Sequence, residues 1–380
     1  EHGAVIANDV SAVGISKSSD GLADGVEVAV GDRADGERFT IRTRSIVNAG
    51  GVWADEVRTL DEGRDPDSIR PAKGVHVTVP WHKVRNQIAA VIPVPKDRRS
   101  VFVVPVGRFT YIGTTDTDYD GPVDDPQCTE ADVEYLLSAI NAASTETITT
   151  ADVVGTWAGL RPLVKSAEIG RTADLSRRHH IARSGSGVIT ITGGKLTTYR
   201  DMAANAVDEV IEQVLARQIG FAGFAKSATR KLRLRGAAGY DTLAESARAF
   251  SEVPPGLVDH LGTRYGGEAR ALMAAIQSDP TLAEPIVSGL PYTRAEAMFA
   301  VRHEMARSVD DLLSRRTRAR LLARDDSALA AAEVGALVAA EQGWSADDLD
   351  ASVEEYRASV RHEREAANLP ETHLETLLGA

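Results

Sequence analysis

At 380 residues the chain is long enough for two or three domains, each with a core of its own. Its composition, 43% hydrophobic and 26% charged, is that of a soluble globular protein; no apolar run is long enough to cross a bilayer, and the start has no signal-peptide pattern. A net charge of −12 argues against nucleic-acid binding. The single cysteine, Cys128, excludes an internal disulfide and favours a cytoplasmic protein. The Cys and His residues form no cluster at metal-ligand spacing.

The first 60 residues are predicted to be rich in β-strands. Residues 1–7 resemble the start of a strand inside a fold, without an initiator methionine, so we expect the chain to be a fragment. Apolar and polar residues alternate over 25–30 and 38–42, with an Asp/Gly-rich turn between them, which predicts a β-hairpin. A short apolar strand over 45–49 then ends at two glycines, and a helical spacing follows.

The middle of the chain alternates with period two between about 70 and 120, which indicates strands of a separate antiparallel sheet. The apolar positions that carry this pattern are Val75, Val77, Val79, Val101, Val103, Phe109 and Tyr111. A helical pattern covers 130–143, and a further strand and turn are predicted over 156–163.

The stretch 189–200 is the most informative part of the sequence. An apolar strand runs into Gly193 and Gly194, then Lys195, then the start of an amphipathic helix in which Thr198 and Asp201 have the spacing of a capping box. Such a turn presents unpaired backbone N–H groups and a positive helix end, and it can hold a phosphate or the edge of a reduced ring. The alternative is an ordinary strand-to-helix turn with a surface lysine.

The rest of the chain is predicted to be a linker followed by helices. Residues 216–242 have no clear period and contain glycines and basic residues, which indicates a linker. From about 243 onward Ala, Leu, Glu and Arg recur at helical spacing, so we expect a separate all-α domain.

Taken in order, these pieces resemble the FAD-dependent glycerol-3-phosphate dehydrogenases of bacteria, within the D-amino-acid-oxidase-like flavoproteins. The motifs that carry the resemblance are Ile46-Val47-Asn48-Ala49-Gly50-Gly51-Val52-Trp53-Ala54-Asp55, Lys73-Gly74-Val75-His76, Ile112-Gly113-Thr114-Thr115-Asp116, Gly159-Leu160-Arg161-Pro162-Leu163 and Gly193-Gly194-Lys195-Leu196-Thr197-Thr198-Tyr199-Arg200. The resemblance covers the whole chain and keeps the order of the motifs.

The resemblance implies an α/β plus all-α fold. It consists of an incomplete FAD-binding Rossmann-type domain, like that of glutathione reductase, with an antiparallel substrate-binding sheet and a C-terminal helical domain. The implied domains are 1–60 with 151–220 for FAD binding, 61–150 for the substrate-binding sheet, 221–242 for the linker and 243–380 for the helices. The family begins with a G-x-G-x-x-G unit, and this sequence does not, so we expect that unit and a substrate-binding arginine to be missing.

The implied reaction is the oxidation of sn-glycerol 3-phosphate to dihydroxyacetone phosphate, with hydride passed to FAD and electrons then passed to a quinone. The resemblance assigns catalytic roles to His76 and Lys195, substrate binding to Thr114, Arg161, Arg177 and Lys195, and flavin contacts to Ala49, Gly50, Gly193, Gly194, Leu196 and Thr197. A histidine can accept a proton near neutral pH, although a lone histidine on a strand is more often structural. Arg177 lies in a polar stretch, where the alternative is a solvated surface charge.

The partners implied are the substrate and a quinone, with a peripheral position on the inner face of the cell membrane and a homodimer as further possibilities. An arginine-rich helix over 315–324 has two interpretations: a solvated face paired with Asp310, Asp311 and Asp325, or a contact with anionic lipid. Two other functions stay open. One is an oxidase that passes electrons to oxygen, and the other is an inactive fragment that acts only in assembly.

Overall fold

The computed structural model describes residues 2–31, 36–95, 97, 99–165, 179–212 and 227–378. The chain divides into two compact units. Unit one comprises 1–74, 116–126 and 159–232, and unit two comprises 75–115, 127–158 and 233–380. Two strands, β5 and β10 below, begin in one unit and end in the other.

Unit one opens with an antiparallel sheet of three strands, β1 (Val10–Lys17), β2 (Ala23–Val30) and β3 (Arg38–Arg42). Strands β2 and β3 pair with Val28 opposite Phe39, which confirms the predicted hairpin. The expected strand at 1–7 was wrong, because the described residues 2–9 form no strand and the first one begins at Val10.

A second sheet of unit one carries two of the sequence motifs. It contains β4 (Val47–Asn48), β11 (His179–Arg183) and β12 (Ile189–Gly193) in the order β11-β12-β4. Strand β12 is antiparallel to β11 but parallel to β4. Helix α1 (Ala54–Glu62) follows β4, and helix α4 (Tyr199–Val210) follows β12.

The largest sheet has six strands, in the order β10-β5-β8-β7-β6 with β9 also paired to β5. Its strands are β5 (Ile69–Pro80), β6 (Ala90–Pro93), β7 (Ser100–Val106), β8 (Phe109–Gly113), β9 (Thr117–Asp118) and β10 (Gly155–Val164). In unit two, Val75, Val77 and Val79 point from β5 into a core with Leu136 of helix α3, which confirms the predicted alternation. Helix α3 (Glu130–Asn141) begins at a capping box formed by Thr129 and Asp132.

The helices of the C-terminal part pack on strands of unit two. Phe109 of β8 and the buried Val154 belong to the same hydrophobic cluster as Leu312 and Leu313. Alternate residues of a strand face opposite sides of a sheet, so each face needs a cover of its own. The helices supply that cover here, and residues 243–378 lie in the same compact unit as these strands.

The remaining helices follow in chain order. They are α2 (Trp81–Val84), α5 (Leu243–Ala247), α6 (Pro255–Tyr265), α7 (Ala269–Ser278), α8 (Arg294–His303), a π-helix (Asp311–Arg316), α9 (Ala319–Leu322), α10 (Arg324–Gln342), α11 (Ala346–Ala366) and α12 (Leu374–Leu378). Within the described ranges, none of the helices is both long and apolar enough to cross a membrane. The part of the predicted linker that precedes residue 227 lies outside the described residues.

Candidate active site

The turn after β4 is held by the side chain of Asn48, which is buried. Its Oδ1 accepts a hydrogen bond from the Gly50 N–H at 3.0 Å, and its Nδ2 donates to the Ala54 carbonyl at 2.8 Å. The same Nδ2 lies 3.4 Å from the Thr190 hydroxyl on β12. Gly51 has a φ of +61°, and no described atom lies within 4 Å of the position a Cβ would take there. The backbone of this turn is therefore fixed in shape and open to a ligand.

The turn after β12 also depends on glycine. Gly193 and Gly194 have φ values of +71° and +77°, and a Cβ on Gly194 would lie 2.5 Å from the Met202 sulfur. The predicted capping box was wrong: the Thr198 hydroxyl donates to the Lys195 carbonyl at 2.9 Å, and Asp201 pairs with Arg200 instead. A short 3₁₀ turn precedes helix α4, which moves Thr198 out of capping geometry.

The two turns lie at the same edge of one sheet. Strands β4 and β12 are parallel neighbours with Val47 opposite Ile189, and the carboxyl ends of parallel strands meet at the same edge. Six predicted cofactor contacts fall on these turns: Ala49, Gly50, Gly193, Gly194, Leu196 and Thr197. Leu196 is 87% exposed. The uncovered backbone and this exposed apolar side chain fit the edge and face of a planar ring such as a flavin, and their contact with FAD stays a prediction.

Two cationic residues of the predicted substrate site are found in unit one. Arg161, on β10, lies with its Nη1 3.2 Å from the Asp116 carboxylate and has a side chain that is 36% exposed. Lys195 is exposed at the turn after β12. The third predicted cation, Arg177, lies outside the described residues. Both described cations are accessible to an anion, and Asp116 fixes the direction of the Arg161 guanidinium.

His76 and Thr114 belong to unit two. The imidazole of His76, on β5, stacks on the indole of Trp157 with ring centroids 4.6 Å apart and planes 2° apart. Gly113 is the cross-strand partner of His76 on β8. The Thr114 hydroxyl donates to the Thr115 carbonyl at 3.0 Å, and the neighbouring Thr115 hydroxyl accepts from the Val75 N–H at 3.0 Å. The sequence motifs around 76 and 114 thus meet on adjacent strands.

The arginine-rich segment 315–324 is not a single solvated helix. A π-helix ends at Arg316, and separate helices begin at Ala319 and Arg324. The ion pairs of the first interpretation are present: Arg315 contacts Asp310 and Asp311 at 2.6 and 2.8 Å, and Arg324 contacts Asp325 at 2.6 Å. Arg324 is fully buried, however, so this part of the segment is a packed ion pair rather than a solvated face.

Comparisons with known proteins decide the family. A family model described as FAD dependent oxidoreductase matches residues 1–200, which is more than half of the chain. The chain belongs to the FAD-dependent oxidoreductases. A second model, the C-terminal domain of alpha-glycerophosphate oxidase, matches residues 227–349. The second match covers most of the helices that pack on the large sheet.

Relatives of known name agree with the resemblance drawn from the motifs. Glycerol-3-phosphate dehydrogenase 2 of Mycobacterium tuberculosis is 37% identical over 95% of this chain, and the Mycobacterium leprae glycerol-3-phosphate dehydrogenase is 37% identical over the same share. The chain spans 60% of the length of these relatives.

A solved structure supports the fold. The glycerol-3-phosphate dehydrogenase of Bacillus halodurans, solved with FAD, superimposes with a TM-score of 0.73 at 28% identity over 94% of this chain and 69% of its own. The predicted fold class, a FAD-dependent oxidoreductase with an antiparallel sheet and a C-terminal helical part, is confirmed.

Sequence reasoning missed two residues, one in each unit, that contact predicted site residues. Asn48 lay inside one of the motifs but was not singled out, although an Asn two positions before a glycine is a common signal for a turn in which its side chain bonds the backbone two residues on. Trp157 lies 81 positions from His76, and no local pattern connects the two. Among the described residues, no group of three or more His, Cys, Asp or Glu side chains is placed to hold a metal ion.

Proposed function

We propose that the protein oxidises sn-glycerol 3-phosphate at C2 to dihydroxyacetone phosphate, using FAD and passing the electrons to a quinone. The observation that carries this proposal is the 37% identity, over 95% of the chain, to mycobacterial proteins named glycerol-3-phosphate dehydrogenase. The two glycine turns at one sheet edge support it, because the turn after β4 leaves open space at Gly51 where a flavin ring can approach, and Leu196 is exposed after the other turn.

Each proposed residue role follows from its chemistry. FAD, when bound, accepts the hydride from C2. His76 accepts the proton of the C2 hydroxyl, so that one C–H and one O–H bond break while the carbonyl forms. Arg161 and Arg177 bind the phosphate, because the planar guanidinium suits its oxygens.

Two further side chains have roles in the proposed reaction. Lys195 contributes a positive charge at the turn after β12, where it stabilises the phosphate and the negative charge that develops on the reduced ring. Thr114 forms a hydrogen bond with the substrate. Ala49, Gly50, Gly193, Gly194, Leu196 and Thr197 contact the flavin.

The proposed quinone acceptor leads to a proposal about where the protein works. A quinone resides in the lipid phase, so a protein that reduces it works at a membrane surface, here the inner face of the cell membrane as a peripheral protein. A homodimer is also proposed. Flotation with liposomes that contain anionic phospholipid tests the membrane position. Size-exclusion chromatography with light scattering tests the homodimer.

The test of the reaction is anaerobic reduction of added FAD, and of a redox dye, by glycerol 3-phosphate, with glycerol as the substrate control that lacks phosphate. Arg161→Lys keeps the charge but loses the two-pronged geometry, so kcat/KM falls. Arg70→Lys is the matched control, because Arg70 forms an exposed ion pair with Asp118. No reduction by glycerol 3-phosphate, or an equal effect of both substitutions, contradicts the proposal.

A second candidate is an oxidase that passes electrons to oxygen. The match of residues 227–349 to the C-terminal domain of alpha-glycerophosphate oxidase favours it. Formation of hydrogen peroxide in step with substrate consumption identifies the oxidase, and its absence in the presence of a quinone analogue identifies the dehydrogenase. A chain that elutes from gel filtration without flavin absorbance, even after incubation with FAD, supports the assembly role instead.

A further inference from the structure

The imidazole of His76 stacks on an aromatic platform within unit two, which consists of the rings of Trp157 and Tyr111. The imidazole is parallel to the Trp157 indole, with planes 2° apart and centroids separated by 4.6 Å. Tyr111 meets the same indole edge-on, with centroids 4.8 Å apart and an interplanar angle of 76°. Stacked and edge-on contacts of this kind stabilise defined ring orientations. The three rings therefore form one packed group on adjoining strands of the large sheet.

Gly113, on the neighbouring strand β8, leaves the space that the imidazole of His76 occupies. A Cβ added at this position would lie 2.2 Å from Cδ2 and 2.5 Å from Cγ of the His76 ring. Real Cβ atoms do not approach other atoms that closely, so the imidazole lies across β8 only because residue 113 is glycine. The ring of His76 is consequently confined by the backbone of one strand and the indole of another.

The platform is tied to the helices behind the sheet. The N–H and hydroxyl of Thr156, the residue before Trp157, donate to one carboxylate oxygen of Glu363 at 3.0 and 2.9 Å. The other oxygen of Glu363 accepts from Nε of Arg320 at 2.8 Å. Within the described chain the Tyr111 hydroxyl is buried without a hydrogen-bond partner, so Tyr111 acts through its ring.

We propose that Trp157 is a positioning residue for His76, an inference that rests on the proposed function, in which His76 accepts the C2 hydroxyl proton. The outer torsion of a histidine is broad, so an unsupported imidazole samples many planes. The indole of Trp157 holds the imidazole in one plane, so the ring nitrogen that accepts the proton keeps one direction. The same face attracts the imidazolium that forms on proton transfer, because aromatic faces favour cations.

The kinetic test compares two substitutions of the platform. Trp157→Phe keeps an aromatic face, and kcat stays within about twofold of the wild-type value. Trp157→Leu removes the face, and kcat falls about three- to tenfold while KM for glycerol 3-phosphate is unchanged. Trp344→Phe, on the helical side of the same unit, is the matched control and leaves both constants as they are. A Trp157→Leu enzyme with wild-type kcat overturns the inference.

A spectroscopic test does not depend on activity. In protein labelled with 13C-histidine, the ring protons of His76 lie over the indole and shift upfield; the signal is assigned by its loss in His76→Gln. The shift disappears in Trp157→Leu, and it also disappears in Gly113→Ala, which displaces the imidazole by one methyl group and keeps Trp157 in place. A wild-type His76 signal at its unstacked position overturns the inference.

The two failures are distinguishable. If glycerol 3-phosphate is not oxidised while the His76 signal is shifted and returns in Trp157→Leu, the proposed function fails and the positioning of the ring stands. If oxidation occurs but the signal is unshifted, or Trp157→Leu changes neither the signal nor kcat, the reaction stands and the positioning role fails.

Discussion

Replacing Glu363 by glutamine is expected to destabilise unit two strongly, because this carboxylate is only 5% exposed and is bonded on both oxygens. One oxygen accepts from the N–H and hydroxyl of Thr156, and the other accepts from Arg320. Glutamine has the same shape, so no cavity forms. In either orientation, however, its NH2 group would oppose a donor, the guanidinium of Arg320 on one side or the N–H of Thr156 on the other.

The expected loss in the free energy of unfolding depends on which hydrogen-bonding groups of Arg320 lose their partner. Removing one partner of a buried ion pair costs roughly 3–5 kcal/mol. Arg320 keeps hydrogen bonds to the Ser359 hydroxyl and carbonyl at 2.9 and 3.0 Å, and its Nη1 lies 3.4 Å from Asp310. We therefore expect the low end of that range, about 3 kcal/mol, in the free energy of unfolding.

Urea unfolding followed by circular dichroism measures the change. Glu354→Gln is the control on the same helix, because Glu354 forms an exposed pair with Arg361 and its loss should leave the unfolding midpoint unchanged. A Glu363→Gln protein within about 1 kcal/mol of the wild type would refute the reasoning, since it would show that solvent satisfies Arg320 after the charge is removed.

Three further expectations concern other parts of the chain. Lys195→Ala, in the flavin-loaded protein, should slow reduction by glycerol 3-phosphate and make the flavin midpoint potential more negative; an unchanged potential limits the lysine to phosphate binding. The hydrogen bond to Asp326 raises the pKa of His373, so its stabilisation is complete below the ordinary value of 6.5 and is lost as pH rises through the raised one. The difference in Tm between wild type and His373→Gln should therefore shrink from pH 6 to 8.5, and a difference independent of pH contradicts this. Gly194→Ala, at a φ of +77°, should lower the free energy of unfolding of unit one by about 1–2 kcal/mol, whereas Gly185→Ala, with an open Cβ position, should not.

Local patterns in the sequence determined most of the elements. The hairpin of β2 and β3, the alternation of Val75, Val77 and Val79, and helix α3 all appear where the spacing predicts them. Such patterns depend on residues two to four positions apart, and the pitch of a strand or helix is set over the same distance. The glycine turns after β4 and β12 were visible for the same reason, since a positive φ is a property of single residues.

Tertiary structure decided which of these elements cover one another. The helices after residue 243 lie in the same unit as β6, β7 and β8 of the large sheet because Val154 and Phe109 need an apolar cover, a requirement that local spacing does not express. Arg324, one of a run of surface-like charges in the sequence, is buried against Asp325. Burial is a consequence of packing between segments far apart in the chain, and a charge pattern alone does not contain it.

The candidate site shows the same division. The motifs placed His76, Lys195 and Arg161 on strands and turns, because each motif is local. The stacking of His76 on Trp157 joins β5 to β10 across 81 residues, and only the pairing of strands brings the two rings together. Residue types and their spacing thus determined which reactive side chains this chain contains. The register of the strands determined which ring His76 stacks on, because register depends on long-range burial and backbone hydrogen bonding.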